Sequence, residues 1–177
     1  FAANSAAIQK LKEIEQRVAN GGSPAFEDEQ RILAQYTGWG GLSDAFDPNK
    51  SAWSNEYSQL KAALSESEYE AARSSTLTAF YTPATVIHPI YRALERFGVK
   101  GGKILEPSMG TGAFLAHGHF GSSDAKFYGV ELDSITGRIS KQLYQKANIQ
   151  VTGYENALLP DNYFDCAIGN VPFGNFQ

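Results

Sequence analysis

The second half of this chain alternates short β-rich runs with segments of helical period, and that alternation leaves few folds open. "KILEP", "KFYGVELD" and "IQVTGY" are rich in β-branched and aromatic residues, and Ile135, Ile139, Leu143 and Ala147 recur at helix spacing between the last two. A fourth run, "FDCAIGN", follows the turn "LPDN". Strands that alternate with helices build βαβ units, which place the strands in one parallel sheet with the crossover helices against it. The expected fold class is therefore α/β. The helix leading into the first strand is expected to open with Thr82 as its cap and Pro83 as its first residue, and to kink at Pro89.

The first half follows a different pattern. Ile8, Leu11, Ile14 and Val18 share one helical face, and "NGG" at 20–22 stops that helix. Ser23 and Pro24 are expected to open a second helix running to about Tyr36. "TGWGGLSDAF" predicts a glycine-aromatic loop anchored in a core by Trp39 and Phe46. Ser65 and Glu68 match a capping box for a short helix through Arg73. The expected organisation is a helical region over 1–78 and an α/β domain over 79–177.

The chain has 177 residues, 42% hydrophobic, enough for one core and a helical extension. Its net charge of −4 does not suit a self-sufficient nucleic-acid binder, so any grip on nucleic acid must come largely from elsewhere. One cysteine, Cys166, excludes an internal disulfide, and its place in a strand predicts a small buried hydrophobe. His88, His117 and His119 lack partners at zinc-ligand spacing, so no metal is expected. No apolar run is long enough to span a membrane, and a reducing, cytoplasmic setting is expected. The first residue is Phe, so the chain is expected to be a piece of a longer product.

Three motifs carry chemistry. In "LEPSMGTGAFL", Gly110 and Gly112 remove side chains where a ligand must approach backbone between a strand and a helix. The dinucleotide fingerprint is excluded, because its third glycine would fall on Leu115 and Glu106 would repel a pyrophosphate. An acid there suits a ligand with a cationic centre, and S-adenosylmethionine has one in its sulfonium and ammonium groups. In "GVELD", Glu131 ends the second strand about 20 residues beyond the loop, where a carboxylate accepts the hydroxyls of a ribose. Asp133 is expected to cap the next helix. In "AIGNVPFGN", the Asn170 side chain and the Val171 backbone each offer a carbonyl to the hydrogens of a planar amine, and Phe173 offers a face for stacking. Val171 stands where a proline is common, but Pro172 still holds it extended. Glycine loop, Glu131, Glu155 after strand three and this last turn all fall on one edge of the sheet.

These residues resemble the γ-class adenine amino-methyltransferases that act on DNA. More narrowly, "LAQYTGWGGLSDAFDP", "STLTAFYTP", "ILEPSMGTGAFL", "YGVELDSITGRISKQLYQKA" and "FDCAIGNVPFGN" resemble the amino-terminal part of large methylase-helicase proteins of plasmids and conjugative elements. The resemblance implies a Rossmann-like S-adenosylmethionine-dependent methyltransferase fold with a truncated sheet, four strands of seven. It implies that Thr82 holds the methionine carboxylate, that Glu106, Ser108, Gly110 and Gly112 lie under the methionine part, and that Phe114 meets the adenine. Glu131 takes the ribose, and Glu155 (or Asp161) meets the cofactor's adenine amine. Asn170, Val171, Pro172 and Phe173 hold the target base, flipped out of double-stranded DNA, with a helicase region attached in the full-length protein. The fragment alone is expected to be inactive. Two alternatives stay open: an amine methyltransferase acting on RNA or protein glutamine, and a non-catalytic cofactor- or DNA-binding module of a mobile-element helicase.

Overall fold

The computed structural model describes residues 1–79, 81–118 and 125–171 of the chain. The elements are α1 (Ala2–Ala19), α2 (Glu27–Leu33), α3 (Ser54–Ala63), α4 (Glu66–Ser75), α5 (Ala84–Arg96), β1 (Lys103–Glu106), α6 (Ala113–His117), β2 (Lys126–Glu131), α7 (Ser134–Leu143), β3 (Asn148–Val151) and β4 (Cys166–Ala167). The strands form one parallel sheet in the order β3-β2-β1-β4. The fold is therefore α/β, as the alternation predicts.

Register decides what each face of the sheet meets. Ile104 pairs with Phe127 and Cys166, so these three share a face, and Ile87 and Tyr91 of α5 with Phe114 of α6 cover them. Ile149 clusters with Leu115 of α6, and Gly137 of α7 backs onto Val151. Helices α5, α6 and α7 thus lie on the same side. Leu105, Tyr128 and Ala167 point the other way. There Tyr163 and Phe164, from the β3–β4 connection, meet Tyr128 edge-on at 5.7 and 5.2 Å between ring centroids.

The helical segment builds its own core and shares it. Ile8, Leu11 and Ile14 of α1 pack with Leu33, Trp39, Phe46 and Tyr69, and Ile135 and Ile139 of α7 complete the same cluster. Trp39 is fully buried and Phe46 nearly so, the anchoring role expected of them. Around this cluster Arg138 of α7 pairs with Glu15 and Glu68, each at 2.8 Å. Helix α7 therefore has two working sides, one on the sheet and one on the helical segment.

Local chemistry shifts several boundaries. α2 starts at Glu27 rather than at Pro24, because the carbonyls of Ser23 and Pro24 accept from Arg17 and stay tied to α1. The Glu29 carboxylate then accepts from the Phe26 N–H at 2.9 Å and closes the first turn. α5 starts one residue later than expected: Pro83 is the cap, and its carbonyl takes the N–H groups of Val86 and Ile87. The helix continues through Pro89 to Arg96. α7 stops at Leu143, and Ala147, expected on the helix, lies beyond it in a turn closed on the Tyr144 carbonyl. Cys166 is in its strand but half-buried rather than buried. The Ser65–Glu68 capping box is present, and Asp133 caps α7 by accepting from the Thr136 N–H at 2.7 Å.

Candidate functional site

The glycine loop after β1, Glu131 at the end of β2 and Asn170 beyond β4 sit at the carboxyl edge of the sheet, where parallel strands release their loops. Glu106 is the last residue of β1 and only 2% exposed. One of its carboxylate oxygens, Oε2, has no hydrogen-bond partner among the described residues. Burial, and then the charge of Glu131, push its carboxyl up to about 9. The next residues turn back sharply: Met109 donates to the Val130 carbonyl, and Gly112 donates to the Met109 carbonyl at 2.8 Å. Gly110 and Gly112 have φ of +54° and +78°, conformations that side chains disfavour.

Glu131 ends β2 and reaches back under that loop. Its two carboxylate oxygens accept the Gly110 and Asp133 N–H groups, both at 2.7 Å. Burial holds its carboxyl above the usual range, although those two hydrogen bonds pull it down. Ser140 of α7 donates to the Gly110 carbonyl, and Tyr144, the residue that caps α7, donates to the Thr111 carbonyl, each at 3.1 Å. The glycine loop is thus held from both sides by side chains on β2 and α7.

An open cleft borders the loop at Ser108 and Met109. Thr82, Glu106, Ser108, Phe114 and Asn170 line it, together with Tyr81, Met109 and Ala113. Five residues singled out by sequence therefore meet around one opening. Gly110, Gly112 and Glu131 are not among the lining residues; Gly110 is tied to Glu131 by its N–H. Glu155 stands apart, exposed on the short 3-10 turn Tyr154–Asn156 after β3, where its carboxylate accepts from the Asn156 amide at 3.1 Å. Asp161 is exposed as well. Val171 is exposed beyond Asn170, and Pro172 and Phe173 lie outside the described residues.

Sequence reasoning did not single out Tyr81 or Met109 as cleft residues, nor Ser140 and Tyr144 as supports of the loop. Ser140 is a fully buried polar residue on the apolar stripe of α7, and polar residues at such positions are the available signal. Among the described residues no group of three or more His, Cys, Asp or Glu is placed to hold a metal ion, and no helix is long and apolar enough to cross a membrane.

No protein-family profile matches the chain. The Defense against restriction protein B of Escherichia phage P1 is 28% identical over 155 residues, which are 86% of this chain and 5% of that protein. The modification methylase CviBIII of Paramecium bursaria Chlorella virus NC1A is 33% identical over 95 residues, 53% of this chain and 25% of that protein. A Listeria monocytogenes structure, named as a class I S-adenosylmethionine-dependent methyltransferase, aligns at a TM-score of 0.49 and 17% identity, over 99% of this chain and 60% of that one. Each curated relative is several times longer than the part this chain matches. In sequence, this chain is similar to a restriction-defence protein along most of its length and to a modification methylase along about half of it.

Proposed function

We propose that this chain is the cofactor-binding part of an S-adenosylmethionine-dependent DNA methyltransferase that modifies the exocyclic amine of adenine. The observation that carries the reading is Glu106, a residue that lines the cleft and has one buried carboxylate oxygen without a hydrogen-bond partner among the described residues. A buried carboxyl group of this kind ionises at little cost only beside a cation, and the methionine ammonium of the cofactor is one. Similarity to a modification methylase supports the same chemistry.

When bound, the cofactor supplies an electrophilic methyl group on a sulfonium sulfur. In this reading Glu106 releases its proton and pairs with the ammonium, while Thr82 offers its hydroxyl to the methionine carboxylate. Ser108, Gly110 and Gly112 let the loop backbone approach the methionine chain, and Phe114 meets the adenine. Each oxygen of Glu131 already accepts one N–H, which leaves lone pairs for the ribose hydroxyls. Glu155 is assigned to the cofactor's adenine amine.

At the other side of the cleft, the Asn170 side-chain carbonyl and the Val171 backbone carbonyl accept the two hydrogens of the target amine. That would draw electron density onto its nitrogen for in-line attack on the sulfonium methyl: the S–C bond would break as the N–C bond formed, leaving S-adenosylhomocysteine, and the amine's surplus proton would pass to solvent, with no covalent enzyme intermediate. Pro172 and Phe173 complete the hold on a base flipped out of double-stranded DNA. The net charge of −4 assigns most of the grip on DNA to other regions of a longer protein, a helicase region among them.

The test follows labelled methyl transfer into DNA, RNA and protein by the longer protein that carries this segment, with Asn170→Ala as control. N6-methyladenine in DNA that disappears in the variant is the expected result. Label confined to RNA or protein, or DNA methylation that survives the substitution, overturns the reading.

A further inference from the structure

We infer that the amino-terminal helical segment is a working part of the cofactor site, and that Tyr81 is the positioning residue that joins the two. The inference rests on the cofactor reading above. Its basis is one aromatic ring held between two glycines that are far apart in sequence.

A side chain at Gly38 would place its Cβ 2.5 Å from the Tyr81 hydroxyl oxygen and 3.2 Å from Cε2. The opposite edge of the same ring lies against Gly110, where a Cβ would collide with Cε1 and sit 2.8 Å from Cδ1. Both glycines have positive φ, +69° and +54°, so both backbone shape and space exclude a side chain. The ring therefore acts as a spacer of set width between the two loops.

Each end of the spacer is firmly held. The Gly38 carbonyl accepts from the side-chain amide of Asn4 at 2.5 Å, and Asn4 accepts in turn from the Thr37 N–H at 3.0 Å. Asn4 is 1% exposed, and Trp39, next to Gly38, is fully buried in the core of the helical segment. At the other end, the Gly110 N–H donates to Glu131 and its carbonyl accepts from Ser140. Tyr81 itself lines the cleft beside Thr82 and Glu106. A change in the Gly38 loop reaches the Gly110 backbone through the ring, alongside the route through α7, whose Ile135 and Ile139 pack on the helical segment and whose Ser140 holds the Gly110 carbonyl.

The experiment titrates the 177-residue chain with S-adenosylhomocysteine and follows amide exchange at Gly110 and Leu11, in wild type, Gly38→Ala, Tyr81→Ala and Tyr81→Phe. Gly38 lies in the helical segment, outside the cleft lining. Coupling predicts that Gly38→Ala and Tyr81→Ala each weaken binding about tenfold or more, while Tyr81→Phe, which keeps the ring against Gly110 and loses only the hydroxyl that faces Gly38, weakens it less than Tyr81→Ala does. Exchange at Gly110 accelerates in the first two variants while Leu11, deep in α1, keeps its wild-type rate; a general loss of stability would move both. Should Gly38→Ala fail to fold, Tyr81→Ala carries the test without backbone strain. Unchanged affinity and unchanged Gly110 exchange in Tyr81→Ala overturn the inference. Failure of the wild type to bind would count against the cofactor reading, and the Gly110 exchange rates would then decide the coupling alone.

Discussion

A carboxyl group 2% exposed at the end of a strand, with one oxygen unpartnered among the described residues, keeps its proton far beyond the pH at which a solvated glutamate loses it. For Glu106 burial and the nearby Glu131 raise that point to about 9. In the unfolded chain the same group titrates near ~4.3. Between those values the folded state binds a proton that the unfolded state has lost, so stability falls as pH rises, by up to about 1.4 kcal/mol per pH unit. Glu131, also raised, acts in the same direction. The urea midpoint is therefore expected to be higher near about pH 6 than near about pH 8.5, and Glu106→Gln is expected to flatten much of that slope. Parallel slopes in wild type and variant would refute the assignment. Because pairing with an ammonium needs the ionised form, S-adenosylhomocysteine binding should tighten from about pH 6 to 8 and release a proton, read from binding heats in buffers of different ionisation enthalpy.

Helix α7 shows how an element can be tuned against its own propensity. Replacing a helical glycine by alanine ordinarily gains about 1 kcal/mol. At Gly137 a Cβ would stand 2.9 and 3.0 Å from the two γ-methyls of Val151, a stiff β-branched neighbour on β3. Gly137→Ala is therefore expected to destabilise the chain by about 1–3 kcal/mol, and Val151→Ala in the same chain to recover part of the loss, as denaturant titration of the single and double variants will show. On the other side of the helix, burial works to raise the Glu68 carboxyl, but the Ser65 N–H and Arg138 outweigh it and hold it at about 2. Arg138→Ala leaves that buried acid without its charged partner on α7 and is expected to cost about 1–3 kcal/mol at neutral pH. That loss should shrink in acid, once Glu68 is protonated; a loss independent of pH would mean that packing of the arginine stem, not charge, is responsible.

At the scale of the whole molecule, the helical segment and the α/β half share one hydrophobic cluster through Ile135 and Ile139. A single cooperative unfolding transition is expected, with near-ultraviolet and far-ultraviolet dichroism coincident; two separated transitions would show that the shared cluster does not couple the halves. What sequence made legible is local. The four strands, the Ser65–Glu68 box, the Asp133 cap and the glycine turn each depend on residues within a few positions of one another. The start of α2 was misplaced because its determinant is Arg17, which belongs to the preceding helix. Thr82, Glu106, Ser108, Phe114 and Asn170 could be chosen from their motifs, but their meeting at one cleft depends on strand order. The place of Tyr81 between Gly38 and Gly110 leaves no periodic trace, since its partners lie in segments that touch only after folding. That sandwich also bears on inheritance. Side chains at 38, 81 and 110 draw on one shared space, so added volume at 38 or 110 fits only where the side chain at 81 gives way. A recombinant that takes its helical segment from one lineage and its α/β half from another keeps a working loop only where the incoming segment also brings a glycine to meet the ring.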